Sequence, residues 1–390
     1  MKVDRSFQNS TYVKLWDSNE GRKLMTQIVN NPEMIKTNYG FYKQKFQVDP
    51  MLTETNADGA ATFMSRMRKM EMGTMMHMRS PLGDTITKQE ANGAYYTGVI
   101  PDMISDGFLE TAMEREKKEE MFRNEFGGDA FLIEQFTNKL QSLVDSAEMT
   151  LSNMSAQILS KGHIVYNYGE GNKGNLYKAD IPAENFIKAG EKAWTAPDCK
   201  LLDQMKKIEE DFKDKWGASF NMQWEITYDM FHNVFLKNAQ VVDLVKSYRF
   251  FNNQVITDNM QVTEEMFRAA ISQYAGGLSP IVIIVEKQKD RVQGVVHGWK
   301  DNVAVYRPAG YAGMIRHTEN LDAYLFPKYG NNLYSQVYTK AGNGLFTIAN
   351  LVVPDGRMKQ WQTHLMMQAI PSLDEFLYHV IVDTHTADSD

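Results

Sequence analysis

Apolar residues recur at Ile133, Phe136, Leu140, Leu143, Ala147, Leu151, Met154 and Ile158, in steps of three or four throughout. That spacing draws one stripe down one side of a helix, predicted over Asp129–Lys161. Gly127-Gly128 before it and Gly162 after it are its stops. At ~1.5 Å per residue the helix would be roughly 50 Å long, several times the usual globular helix. A second amphipathic helix is predicted over Lys200–Trp216, with Leu201, Met205, Ile208 and Phe212 inside and Gly217 ending it. Thr227 and Asn238 sit where N-caps belong, before helices predicted through Leu236 and Ser247. Thr263 caps another, with Met266, Phe267, Ala270, Ile271 and Tyr274 inward and Gly276-Gly277 as its stop. Residues 107–126 read as a charged helix, because Glu114 with Lys118 and Glu119 with Arg123 have the favourable spacing of four. A solvated face is the plain reading of that charge run.

Strand patterns lie mostly after the long helix. They fall at His163–Tyr168, Asn175–Ile181, Met222–Ile226, Val303–Tyr306, Leu345–Val353, Gln362–Ile370 and Phe376–Thr384. Ile281–Val285 is continuously apolar, the mark of a strand buried on both faces. The class is therefore α+β, and the two regions of β pattern predict two subdomains sharing one chain. There is no internal repeat.

The chain before the long helix is different. Residues 1–60 are polar and carry turn signals at Asn30-Asn31-Pro32, Asp49-Pro50 and Asp58-Gly59. Two aromatic clusters interrupt them, Tyr12 with Trp16, and Tyr39 with Phe41, Tyr42 and Phe46. An arm that docks on something else fits this pattern. Residues 64–78 hold seven methionines, and Met70, Met72, Met76 and Met78 share one face of an alternating strand, with Met64 and Met67 leading in. Pro81-Leu82-Gly83-Asp84 is the turn of a long two-stranded loop that returns through Tyr95-Tyr96. Such a hairpin is barely stable alone in water, and methionine suits a surface that packs against a partner. An ordinary core strand is the alternative. Arg66, Arg68, Lys69 and Arg79 form the clearest basic patch, able to touch phosphate backbones without reading sequence, or to meet an acidic neighbour, or simply to face solvent.

Composition narrows the class. The 390 residues are 43% hydrophobic and 23% charged, in the range of ordinary globular proteins. No apolar run approaches the ~20 residues that cross a bilayer, and Met1–Asn30 lacks a signal-peptide core, so synthesis in a cytoplasm is expected. Cys199 is the one cysteine, which excludes an internal disulfide and a cysteine zinc site. A net charge of −7 argues against a dedicated nucleic-acid binder.

Candidate chemistry is thin. Gly169-x-Gly171-x-x-Gly174 has dinucleotide-loop spacing, but a strand pattern follows it where that motif needs a helix, so it reads as a hairpin turn. No phosphate loop, nucleophile elbow or HExxH occurs. Glu209-Glu210-Asp211 lies on the polar face of its helix. His379, Asp383 and His385 share a strand face and could bind a metal, although polar residues are expected near a chain end. No catalytic, cofactor or metal site is assigned, and no cofactor is expected.

The order of elements resembles the major capsid proteins of tailed bacteriophages, the Hong Kong 97-type fold, and within them the lambda major head protein family. The resemblance rests on Ala147–Val165 at the exit of the long helix. It rests also on Trp224-Glu225-Ile226-Thr227 followed by Val234–Asn238 and Val241–Lys246, and on Asn302–Pro308 with Gly310 and Gly313-Met314-Ile315. It covers roughly residues 60 to 390 and has no single specific motif. It implies an N-terminal arm (1–60), an extended loop (61–105) and a peripheral domain (106–199) holding the long helix as its spine. An axial domain (200–330) and strands returning to the peripheral domain (331–390) complete it. It implies hexamers and pentamers in an icosahedral shell around double-stranded DNA, a virion location, and separate scaffolding, portal and decoration proteins. Met64, Met67, Met70, Met72, Met76, Met78, Tyr12 and Trp16 would touch neighbouring subunits, and Arg66, Arg68, Lys69 and Arg79 would face DNA. An encapsulin-type nanocompartment shell shares the fold. A metal-dependent enzyme using His379, Asp383 and His385 is the rival from another class. Deleting residues 1–60 is expected to leave a folded, assembly-defective subunit.

Overall fold

The computed structural model describes residues 40–50, 61–67, 94–100, 104–110, 113–114, 117, 129–168, 172–196, 198–217, 221–255, 260–272, 277–285, 288–290, 294–318, 336–341, 345–355 and 358–387. The first described elements are helix α1 (Phe41–Lys45) and strands β1 (Phe46–Val48), β2 (Ala61–Met67), β3 (Ala94–Ile100) and β4 (Ile104–Glu110). The long helix α2 (Asp129–Lys161) follows, then β5 (His163–Tyr168), β6 (Asn172–Lys178), β7 (Phe186–Ala189), α3 (Leu201–Trp216) and β8 (Met222–Thr227). A helical segment has α geometry over Tyr228–Met230 and π geometry over Phe231–Phe235. Next come α4 (Ala239–Phe251), α5 (Glu264–Ile271), β9 (Ile281–Ile284), β10 (Gln288–Asp290), β11 (Gly294–Val296), β12 (Val303–Pro308) and β13 (Gly313–His317). The last strands are β14 (Gln336–Ala341), β15 (Phe346–Asp355), β16 (Met358–Met367), β17 (Ala369–Leu373) and β18 (Val380–Ala387).

The long helix spans the predicted 33 residues. Leu140, Leu143, Ala147, Leu151, Met154 and Ile158 are all buried, as the stripe requires. Beyond Leu151 the burial spreads around the helix to Ser152, Ser155, Ala156, Gln157, Leu159 and Ser160. Small side chains allow neighbours to approach there, and Ser160 and Gln157 are held by hydrogen bonds. Ser160 Oγ donates to Ala156 O at 2.8 Å and accepts from Lys300 N at 2.8 Å, while Gln157 Oε1 accepts from Val165 N at 2.8 Å.

The chain forms two compact units. One is drawn from Met1–Phe63, Gly98–Ser155 and Met314–Ser372, the other from Met64–Thr97, Ala156–Gly313 and Leu373–Asp390. The first contains a four-stranded antiparallel sheet, in order β14-β15-β16-β4, and a three-stranded sheet, β1-β13-β17. Residues 107–110, expected as the start of a charged helix, are instead the end of β4, where Gly107 faces His364 of β16. Local charge spacing suggested helix, but a strand partner more than two hundred residues away decides the conformation. A side chain at Gly107 would put its Cβ 2.8 Å from Thr363 O and into the His364 ring, so glycine permits the close pairing. Phe41, Tyr42 and Phe46 are buried in this unit. These three residues of the second aromatic cluster therefore belong to the subunit's own core, where the sequence suggested an arm docked elsewhere; Tyr39 lies outside the described residues. Asp49 fixes the segment: its carboxylate pairs with Arg316 at 2.5 Å and its carbonyl accepts from His317 Nε2 at 2.8 Å. On the long helix, buried Glu148 meets Lys43 Nζ at 2.5 Å and Tyr42 OH at 3.4 Å. Burial pushes its carboxyl above the usual range, and Lys43 pulls it partly back.

The second unit is built on a mixed five-stranded sheet, β7-β18-β12-β8-β9. β12 is central and buried at every position. It runs antiparallel to β18 and β8, whereas β7 pairs parallel with β18 and β9 parallel with β8. The sheet runs across the boundaries expected at residues 200 and 331. Helix α3 packs an aromatic cluster onto it: Phe212 meets Tyr306 edge-on at 5.6 Å, and Trp216 meets Tyr378 at 5.0 Å. Glu209, expected on the polar face, is only 3% exposed. It lies one turn beyond Met205 and accepts from Trp224 Nε1 and Ser279 N, both at 2.8 Å. Arg307 and Glu225 form a wholly buried ion pair at 2.7 Å on neighbouring strands.

Candidate functional site

Two exposed apolar features stand at opposite ends of α4 in the second unit. The first is a hollow of about 440 Å³ at the carboxyl ends of the parallel strands β8 and β9. These strands end in register, Thr227 opposite Ile284, so both chains turn away and leave a concavity. Thr227 Oγ1 accepts from Met230 N at 3.3 Å, which caps the helical segment forming one wall. The next turn is the π-helical Phe231–Phe235, a wider turn than the α-helix. The other wall is the loop 297–302. Trp299 Nε1 donates to Val303 O at 3.0 Å, His297 Nδ1 donates to Trp299 O at 3.1 Å, and Asn302 O accepts from both Thr384 N and Thr384 Oγ1 at 2.8 Å. Asn302 has φ +56°, a left-handed turn conformation that asparagine tolerates. The floor is apolar, with Ile284 and Trp299 buried, while Tyr228 (51%) and Val285 (73%) are exposed at the mouth. Among the described residues its lining carries the carboxylates of Asp229 and Asp301 and no lysine or arginine.

The second feature is a knob at the far end of α4. Val241 and Val245 are buried and hold the helix to the unit. Phe250 and Phe251, adjacent in sequence, are 70% and 76% exposed, with their rings 6.0 Å apart, and Val255 just beyond is 76% exposed. Lys246 and Arg249 share this end of the helix, and Arg249 Nη1 meets the thioethers of Met260 and Met266, at 3.4 and 3.6 Å. Clustered exposed apolar groups of this kind mark interaction surfaces. The sequence contained a signal for the knob: neighbouring helix positions point ~100° apart, so Phe250 and Phe251 cannot both face a narrow core stripe.

The residues singled out from sequence are distributed otherwise. Met64, Met67 and Arg66 lie on β2, which pairs with β3 in a two-stranded sheet. Met70, Met72, Met76, Met78, Arg68, Lys69, Arg79, Tyr12 and Trp16 lie outside the described residues. Of the glycine motif, Gly174 lies within β6, opposite Tyr166 of β5, while Gly169 and Gly171 lie outside the described residues; β5 and β6 pair antiparallel from His163↔Lys178 to Tyr168↔Asn172, so the motif leads into a strand and not a helix. His379, Asp383 and His385 do not converge. The His379 ring is buried and its Nε2–H donates to Leu159 O at 2.7 Å, because a carbonyl can only accept. Asp383 pairs with Lys300 at 3.7 Å, and His385 is exposed. Among the described residues no three His, Cys, Asp or Glu side chains gather as metal ligands. Among them also, no helix is long and apolar enough to cross a membrane.

No protein-family profile matches the chain, and no curated protein does. Solved structures do. A protein assigned as the capsid protein of an E. coli prophage matches with a TM-score of 0.53 and 12% identity, over 93% of this chain and 98% of that one. A phage-related protein of Bordetella bronchiseptica matches with a TM-score of 0.45 and 12% identity, over 93% and 96%. A chain of the cyanophage P-SCSP1u capsid matches with a TM-score of 0.41 and 12% identity, over 90% and 88%. The chain has the mixed helix-and-strand fold of the phage capsid proteins.

Proposed function

We propose that this protein is the major capsid protein of a tailed phage, assembling as hexamers and pentamers into an icosahedral shell around double-stranded DNA. The observation that carries this reading is the match in fold to the prophage capsid protein over 93% of this chain and 98% of that one. In this reading the fold is of the Hong Kong 97 type and α2 is its spine. The loop that begins on β2 grips a neighbouring subunit through Met64, Met67, Met70, Met72, Met76 and Met78. The arm does so through Tyr12 and Trp16. Arg66, Arg68, Lys69 and Arg79 offer non-specific phosphate contacts. Scaffolding, portal and decoration functions come from other proteins. Several modest interfaces repeated by closed symmetry add up to a stable shell.

Size-exclusion chromatography and negative-stain microscopy of the expressed protein, with and without phage partners, test the proposal. Capsomers, shells or tubes are expected; a small uniform oligomer under all conditions would count against it. Nuclease-protected DNA inside native particles separates a genome shell from an enzyme-enclosing compartment.

A further inference from the structure

The hollow and the knob of the second unit are complementary in three respects. The hollow is concave with an apolar floor of Ile284 and Trp299, and the knob is convex with Phe250 and Phe251 exposed at its tip. Among the described residues the hollow is lined by the carboxylates of Asp229 and Asp301 and by no lysine or arginine, while the knob carries Lys246 and Arg249. Asp301 is 85% exposed at its side chain, with His297 Nδ1 4.0 Å away, so its charge is available to a partner. Arg249 has no carboxylate partner among the described residues. The third respect is placement. The π turn that walls the hollow leads directly into α4 at Asn238, and the knob is the other end of that helix. The two features are therefore separated by about 20 Å, the length of a 13-residue helix, and cannot satisfy each other within one unit.

We propose that they satisfy each other between copies: the Phe250–Phe251 knob of one subunit seats in the Tyr228–Val285–Trp299 hollow of the next. A contact between two different patches of identical chains is heterologous, so it propagates in one direction and closes into a ring when the rotation per step divides a full turn. Aromatic side chains seated in a pocket with a polar, charged rim have the anatomy of an interface hot spot. The inference rests on the shell reading and adds to it the contact that joins subunits within a capsomer.

The chain is well suited to a cysteine test, because Cys199 is its only cysteine and is buried. In assembled material under mild oxidation, the double variant Phe251→Cys/Val285→Cys should form a ladder of covalent multimers ending at five or six. Mixing the two single variants should give dimers only, and each single variant alone should give none. A second measurement uses Phe250→Ser/Phe251→Ser, which alters exposed side chains and should leave the subunit's melting temperature unchanged. Its assembly should need about 10-fold or more protein, and Asp301→Arg should act in the same direction. Particles of the double-cysteine variant without a 251–285 cross-link, or assembly of the serine variant at wild-type concentration, overturn this contact and leave the shell reading standing. A wild-type protein that never oligomerises overturns both.

Discussion

At the scale of single residues, two of the polar groups considered for chemistry, Glu209 and His379, serve the core. Glu209 anchors Trp224 and the backbone at Ser279, and His379 ties the start of β18 to the end of the long helix through Leu159 O. The tie has a pH signature. Burial is the largest effect on His379 and lowers its pKa from 6.5 to about 4; the hydrogen bond to Leu159 opposes it. Between those two values the unfolded chain binds a proton that the folded chain does not. Stability from this group is therefore complete above pH 6.5 and is lost as the pH falls toward 4, by at most roughly 3 kcal/mol. In His379→Gln the amide N–H can still donate to Leu159 O, but nothing titrates. Urea midpoints at pH 7 and pH 4.5 should differ less in this variant than in the wild type. An unchanged difference would place the acid sensitivity elsewhere.

At the scale of elements, what was legible was whatever is settled locally. The stripe that ends at Ile158 belongs to a helix with the expected bounds, Asp129–Lys161, and Thr227, Asn238 and Thr263 each accept a hydrogen bond from the backbone they cap. The apolar run at Ile281–Ile284 is a parallel strand, although its middle residues are half-buried. Partners far away in sequence were not legible. β4 takes its conformation from β16, and α1 with β1 takes its burial from a unit assembled from three separate stretches. The hollow has a similar cause, since its walls come from residues near 230, 285 and 300. The exit of the long helix lies between these cases. Gly162, foreseen as a stop, has φ +73°, and a Cβ there would sit 3.0 Å from Ile181 Cδ1 and 3.2 Å from Phe186 Cζ. Gly162→Ala should cost about 1–3 kcal/mol, combining left-handed strain with overpacking. Chemical denaturation checks it. A loss well under 1 kcal/mol would mean that the helix ends equally well without the left-handed turn.

At the scale of the whole molecule, the question is where the subunit stops and its assembly apparatus begins. The aromatic residues of segment 1–60 suggested that all of it serves neighbours, yet Phe41, Tyr42 and Phe46 are respectively 6%, 1% and 1% exposed within their own unit. Asp49 is pinned to Arg316 and His317 of β13. Deleting residues 1–60 removes these side chains and one strand of the β1-β13-β17 sheet. Truncating one large buried aromatic costs ~3–5 kcal/mol, and whole domains are stable by only ~5–15 kcal/mol. That deletion should therefore unfold the first unit, and its failure to assemble would say nothing about an arm. A deletion of residues 1–39 leaves α1, β1 and the Asp49 contacts in place while removing Tyr12 and Trp16. It should melt at the wild-type temperature, keep its near-ultraviolet circular dichroism, and fail to form shells at concentrations where the full chain does. Normal assembly of the shorter deletion would show that the arm is not a gripping element. Wild-type folding of the longer one would show that the α1–β1 segment contributes little to its unit. A folded but assembly-incompetent 40–390 chain, beside an unfolded 61–390 chain, would place the boundary between fold and assembly at Gly40.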